Sequence, residues 1–204
     1  PMKPFGGVES FAWHPNSEML VYVSRKKTGI DYALSTNSDL YLYHLESGAT
    51  RNLTEGMMGY DTMPAFSPDG HHLAWLSMER DGYESDRNRL FLLDCFTAEK
   101  RELTAEWDYT IDEFSWAPDG KDIYFIAPKD GVAPVFSISV DNAEIRRLTD
   151  VMADFSSLAP AGAGRIVAMN HSMLRPDELQ LITLKGKKTP VLTALTDVNG
   201  HIFS

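Results

Sequence analysis

Two near-identical punctuated stretches constrain this chain more than anything else in it. Phe66-Ser67-Pro68-Asp69-Gly70 leads into the apolar run Leu73 to Leu76, and Trp116-Ala117-Pro118-Asp119-Gly120 leads into Ile123 to Ala127. A looser copy stands upstream at Trp13-His14-Pro15-Asn16-Ser17, before Leu20 to Val23. A degenerate one stands downstream at Leu158-Ala159-Pro160-Ala161-Gly162, before Ile166 to Met169. The four prolines fall 53, 50 and 42 residues apart. A second marker runs in step with them, the dipeptides Leu53-Thr54, Leu103-Thr104, Leu148-Thr149 and Leu192-Thr193. Two markers kept in phase identify a repeat protein, and the repeat decides the architecture.

Each unit reads as four short strands. The first carries a large apolar residue two places before its proline, at Trp13, Phe66, Trp116 and Leu158, all on one face because strand side chains alternate. Proline then fixes φ, Asp caps the turn and Gly takes positive φ. The second strand is an unbroken apolar run, as expected where both sheet faces are covered. Leu40 to Tyr43, Leu90 to Leu93, Val135 to Ile138 and Leu179 to Ile182 supply the third strand. Polar turns, the last at Lys185-Gly186-Lys187, lead to the fourth. Helical periodicity is absent throughout. The expected fold is therefore all-β: about four four-stranded antiparallel blades of a β-propeller, in units of approximately 8–54, 55–104, 105–149 and 150–193, with 194–204 as a connection. Connections between second and third strands are long in the first two units, residues 25–39 and 78–89, and insertions of this kind map to the face of a repeat protein that binds.

Composition narrows the function. Of the 204 residues, 19 are Lys or Arg and 29 are Asp or Glu, leaving a net charge of −10 that repels phosphate backbones and anionic membrane surfaces. No apolar run reaches the length of a membrane-spanning helix. The single cysteine, Cys95, ends an apolar run and reads as a buried inert thiol. No serine has a glycine two places before it, so the nucleophile elbow of α/β-hydrolases is missing, and no zinc, phosphate-loop or dinucleotide motif occurs. His71 and His72 are adjacent and point to opposite faces of a strand, so they cannot share a metal. Neither a cofactor nor a metal is expected. Asp69 and Asp119 belong to the repeated turn. One polar cluster stands out, Arg80, Glu84, Asp86 and Arg87 in the second long loop. It reads as a solvated loop of self-pairing ions, or as a substrate site in which Glu84 or Asp86 holds a cationic group such as a peptide's free amino terminus.

With these residues laid out, the chain resembles the propeller domain of the prolyl oligopeptidase family of serine peptidases, in the bacterial dipeptidyl peptidase V and acylaminoacyl-peptidase branch. The resemblance rests on Pro4-Phe5-Gly6-Gly7 before Phe11-x-Trp13, on Phe66-Ser67-Pro68-Asp69-Gly70 and on Arg80-Asp81-Gly82-Tyr83-Glu84-Ser85-Asp86. It continues through Trp116-Ala117-Pro118-Asp119-Gly120 with Ile123-Tyr124-Phe125 to Leu195-Thr196-Asp197-Val198-Asn199. It implies a propeller of about seven blades capping an α/β-hydrolase domain, with the catalytic Ser, Asp and His in that domain and none here. The expected partners are thus a hydrolase domain of the same chain and short peptides, with a bacterial periplasm as the setting the resemblance favours and the cytoplasm second. The chain would supply the last four blades. A closed four-bladed ring is the alternative architecture, and a TolB-like protein-interaction module the alternative function. An incomplete ring would leave two blade faces open. If each shows on the order of 500 Å² of apolar surface, about 25 cal/mol per Å² places roughly 10 kcal/mol at each end, and self-association is expected.

Overall fold

The Pro-Asp-Gly segments close hairpins as their chemistry dictates. At the second copy the Gly70 amide donates to Ser67 O at 2.9 Å with Gly70 at φ +75°, and Asp69 Oδ1 accepts from the His71 amide at 3.0 Å. The third copy repeats this with Gly120 and Asp119. In the first, Asn16 Oδ1 takes the role of the aspartate and Ser17 that of the glycine, held at φ +62°. In the fourth, Pro160 is the last residue of its strand rather than the opening of the turn. The hairpin closes instead through Gly162, Ala163 and Gly164, all at positive φ. A register shift between Ser156 and Ala159, with Ser157 at φ +57°, accompanies this displacement.

The computed structural model describes residue 7, residues 10–186 and residues 188–203. Pro4, Phe5 and Gly6 of the expected amino-terminal motif, and Lys187 of the last polar turn, lie outside the described residues. Sixteen strands among the described residues form four antiparallel sheets in which chain neighbours are sheet neighbours. The first sheet is β1 (Phe11–Trp13), β2 (Met19–Ser24), β3 (Asp39–His44) and β4 (Thr50–Asn52). β5 (Asp61–Phe66), β6 (His72–Ser77), β7 (Arg89–Asp94) and β8 (Lys100–Glu102) make the second. β9 (Glu113–Trp116), β10 (Asp122–Ile126), β11 (Val135–Ser139) and β12 (Ile145–Arg147) make the third. β13 (Asp154–Pro160), β14 (Arg165–Ser172), β15 (Arg175–Lys185) and β16 (Lys188–Ala194) make the fourth. The chain divides into two compact units, residues 1–110 and 111–204, each holding two sheets.

In the first unit Val21, Val23 and Leu40 of the first sheet pack against Leu73, Trp75 and Leu93 of the second. In the second unit Tyr124, Ile126 and Val135 meet Phe155, Ile166 and Ile182. The unbroken apolar strands β6 and β10 are buried at nearly every position, so both of their faces are covered. β2 is different. Val21 and Val23 are buried, whereas Leu20 and Tyr22 are half-exposed and pair with Trp13 and Phe11 of β1, which are 51% and 42% exposed. The first sheet therefore carries an open aromatic face, whose counterpart in the second sheet (Phe66, Leu73, Trp75) is packed.

Why each unit closes on Leu-Thr is visible in the hydrogen bonds. The leucine amide donates to the carbonyl of the first apolar residue of the third strand, at 2.8 Å for Leu53, Leu103 and Leu148. The threonine Oγ1 accepts that same residue's amide, at 3.0, 2.9 and 2.9 Å for Thr54, Thr104 and Thr149. Each pair thus satisfies the end of a strand that would otherwise bury orphan backbone groups. In the fourth sheet the role falls on Leu195 and Thr196, both bonded to Leu179 at 2.8 Å, and not on Leu192-Thr193, which lies within β16. The β15–β16 hairpin is longer than its counterparts, so the marker moves with its end.

Two short helices depart from the expectation of none, α1 (Ile30–Leu34) and α2 (Gly200–Phe203). α1 sits in the first long insertion and buries no residue, with Ile30 72% and Leu34 70% exposed. A single turn is too short to leave a periodic apolar signal.

Candidate functional site

The two long insertions are fastened together. Loop 25–38 runs from β2 through α1 to β3, and loop 78–88 joins β6 to β7. Asp81 of the second accepts from Ser35 Oγ at 2.6 Å and from the amides of Thr36 and Asn37 at 2.7 and 3.1 Å. The Gly82 amide returns a bond to Thr36 Oγ1 at 2.8 Å. Lys27 Nζ lies 3.7 Å from Asp81 and also donates to Ser35 Oγ. The Ser35 hydroxyl, the two amides and the Lys27 ammonium hold the Asp81 carboxyl below the usual carboxylate range. Lys27 is the last of three consecutive cations, and the other two are held by aromatic rings. Arg25 stacks 4.2 Å over Tyr32 and donates to Ser35 O, and Lys26 lies 3.6 Å over the Tyr41 ring.

Arg80, Glu84 and Asp86 lie on this joined lip. The Arg80 amide donates to Asp86 Oδ2 at 2.8 Å and its Nε to Oδ1 at 3.0 Å, with Nη2 adding a further contact. The Arg80 guanidinium also stacks 4.0 Å over Tyr83. These bonds hold the Asp86 carboxyl below its ordinary range, and its side chain is 8% exposed. Asp86 is thus committed to Arg80. Glu84 is exposed and makes no hydrogen bond or ion pair among the described residues. Of the three, only Glu84 offers an uncommitted charge. Arg87 points elsewhere, its Nη2 3.7 Å from Glu102.

A second polar group escaped the sequence reading. Asp61, the first residue of β5, is fully buried and accepts the Trp75 indole N–H at 3.1 Å. Burial pushes its carboxyl up to about 6, against the pull of Ser77, Thr54 and Trp75 and with a further push from Asp39. The Ser77 and Thr54 hydroxyls, near enough to lower it, donate to Met78 O and Asp39 Oδ1, so Asp61 Oδ2 lacks a hydrogen bond. Counted from the proline, Ile111 and Phe125 of the third unit, both buried, stand where Asp61 and Trp75 do. The bulge between Thr62 and Ala65 nevertheless sets Asp61 in the strand register of the exposed Asp112. The one signal in the sequence was that break in the proline-counted repeat.

No cluster of three or more His, Cys, Asp or Glu able to hold a metal occurs among the described residues. Burial pushes the Cys95 thiol up to about 11, away from thiolate chemistry. Among the described residues no helix is long and apolar enough to cross a membrane.

Dipeptidyl-peptidase 5 of Porphyromonas gingivalis is 45% identical over 194 residues, which cover 95% of this chain and 28% of that protein. The chain therefore spans little more than a quarter of the length of such relatives. The acylaminoacyl peptidase of Pyrococcus horikoshii superposes with a TM-score of 0.71 at 19% identity, covering 97% of this chain and 28% of that one. The β-propeller domain of the Trilobed protease from Pyrococcus furiosus gives 0.69 at 19% identity, covering 97% of this chain and 54% of that one. These structural likenesses bear on the fold, and they make the four sheets blades of a propeller-like fragment. Residues 8–201 match the TolB beta propeller domain, PD40, across nearly the whole chain, and the chain belongs to that family.

Proposed function

We propose that the chain is the non-catalytic propeller part of a serine exopeptidase of the dipeptidyl or acylaminoacyl type, which admits and orients short peptides for an α/β-hydrolase domain. The observation that carries this reading is the 45% identity to a dipeptidyl-peptidase 5 over 28% of that protein's length. The absence of a Gly-x-Ser-x-Gly elbow from the chain accords with a nucleophile supplied from elsewhere. In this reading Glu84 receives the peptide's free ammonium, and the Arg80–Asp86 pair stiffens the loop that presents it. Glu84→Gln in the complete enzyme tests the role. It should raise KM for free dipeptidyl substrates and leave N-blocked substrates unaffected, and equal effects on both would overturn it.

The open aromatic face of the first sheet, with Phe11 and Trp13 half-exposed, supports a further part of the reading. Separated from other blades, the chain self-associates through this surface. Sedimentation at several concentrations should show mass rising with concentration, and a persistent monomer would refute this. The same face is what a TolB-like interaction module would offer a partner protein, and a stable complex formed without any hydrolase domain would favour that second reading.

A further inference from the structure

Beside the loop fastening, and apart from Glu84, the lip carries a cleft. It has a volume of about 480 Å³ and is walled by Lys26, Lys27, Asp31, Leu34, Ser35 and Asp81. That volume falls in the range of about 300–1,000 Å³ that small-molecule sites occupy. Its charges differ in how they are spent. Lys27 and Asp81 neutralise each other at 3.7 Å and share Ser35. Lys26 has no carboxylate partner among the described residues, and its ammonium is fixed over the rings of Tyr41 and Tyr22, at 3.6 and 5.5 Å. Asp31, in the first turn of α1, is exposed, and its carboxylate makes no hydrogen bond or ion pair among the described residues. Lys26 and Asp31 thus line one cleft without pairing among the described residues. Leu34, an apolar side chain 70% exposed on a helix that buries none of its residues, lines the same cleft.

Opposite charges that share a cleft but stay apart suit a ligand carrying the complementary charges at its two ends. An apolar wall beside them suits an aliphatic group on that ligand. We propose that this cleft binds a short zwitterionic peptide, its α-ammonium against Asp31, its carboxylate against Lys26 and an aliphatic side chain on Leu34. Extended chain advances about 3.3–3.6 Å per residue, so one or two residues separate such charges by roughly 4–7 Å. The site is distinct from Glu84, and it does not require the peptidase reading. Were that reading correct, the ligand would have the chemistry of a released dipeptide.

Calorimetric titration of the chain with L-alanyl-L-leucine tests the site, with free L-leucine, N-acetyl-alanyl-leucine and alanyl-leucine amide as further arms. The dipeptide should bind with a dissociation constant near about 1 mM, and blocking either terminus should weaken it about tenfold, the equivalent of one charge pair. Leucine binding as tightly as the dipeptide would assign the site to free amino acids and overturn the peptide proposal. Asp31→Asn should weaken the dipeptide without changing the acetylated compound. Lys26→Met, which keeps the stem packed on Tyr41, should weaken the dipeptide without changing the amide. Absence of binding at about 10 mM, or equal binding of the blocked compounds, would overturn the proposal. So would dipeptide binding that Glu84→Gln abolishes and Asp31→Asn leaves intact, a result that would leave the substrate role of Glu84 standing.

Discussion

The Ser35 hydroxyl donates a 2.6 Å hydrogen bond to the Asp81 carboxylate, joining residues 46 positions apart on different sheets' loops. Neither loop has a core of its own, so this carboxylate, with the Thr36 and Asn37 amides, stands in for one. Asp81→Ala should leave both sheets intact and free both loops. We expect a loss of about 1–2 kcal/mol in global stability and faster amide exchange in residues 30–37. Exchange unchanged in that segment would show that the loops are held by something else.

Ser17 occupies the position that Gly70 and Gly120 fill in the next two repeats, with φ of +62°. A left-handed conformation costs a residue with Cβ about 1–2 kcal/mol, so Ser17→Gly should stabilise the chain by about that amount, less the entropy glycine adds to the unfolded state. Gly70→Ala should do the reverse. Its φ is +75°, and a Cβ there would stand 2.6 Å from His14 Nε2, which bonds Gly70 O. Thermal midpoints of the two variants should move in opposite directions.

Asp61 gives the pH dependence a sign. Its carboxyl titrates near 6 when folded and near 3.8 when not, so the folded state holds the proton more tightly. The contribution to stability is therefore full below about pH 4 and is lost as pH rises through 6, by on the order of 3 kcal/mol. Asp81 and Glu178, held below their ordinary range, act in the opposite direction at lower pH, so the difference between wild type and Asp61→Asn isolates the effect. Between pH 4 and 7 the variant should gain on the wild type as pH rises. Parallel curves would show that Asp61 is not the titrating group.

In the fourth sheet, Thr196→Val removes the acceptor of the Leu179 amide and should cost about 1–2 kcal/mol. Thr193→Val, exposed within β16, should change stability by less than about 0.5 kcal/mol. Chemical denaturation separates the two, and equal costs would return the closing role to Leu192-Thr193.

That last pair shows where the sequence was sufficient and where it was not. The proline and Leu-Thr markers are local, and they led to four four-stranded sheets because turn geometry and strand pairing act over a few residues. The fourth marker was misplaced because two Leu-Thr pairs stand three residues apart, and only the length of the β15–β16 hairpin chooses between them. Arg80 and Asp86 could be read as one charged cluster, being six apart, and they do bond each other. Asp81, two places from Tyr83 in the same stretch, could not be ranked, because its partners Ser35, Thr36 and Asn37 come from another repeat. α1 left no trace, since none of its residues is buried.

The most direct test of the account is an assay of the 204-residue chain alone on dipeptidyl chromogenic substrates, with a serine-directed inhibitor as control. A chain that orients peptides for a nucleophile it does not carry should give no turnover. Turnover that the inhibitor abolishes would place an active site within these residues and contradict the account.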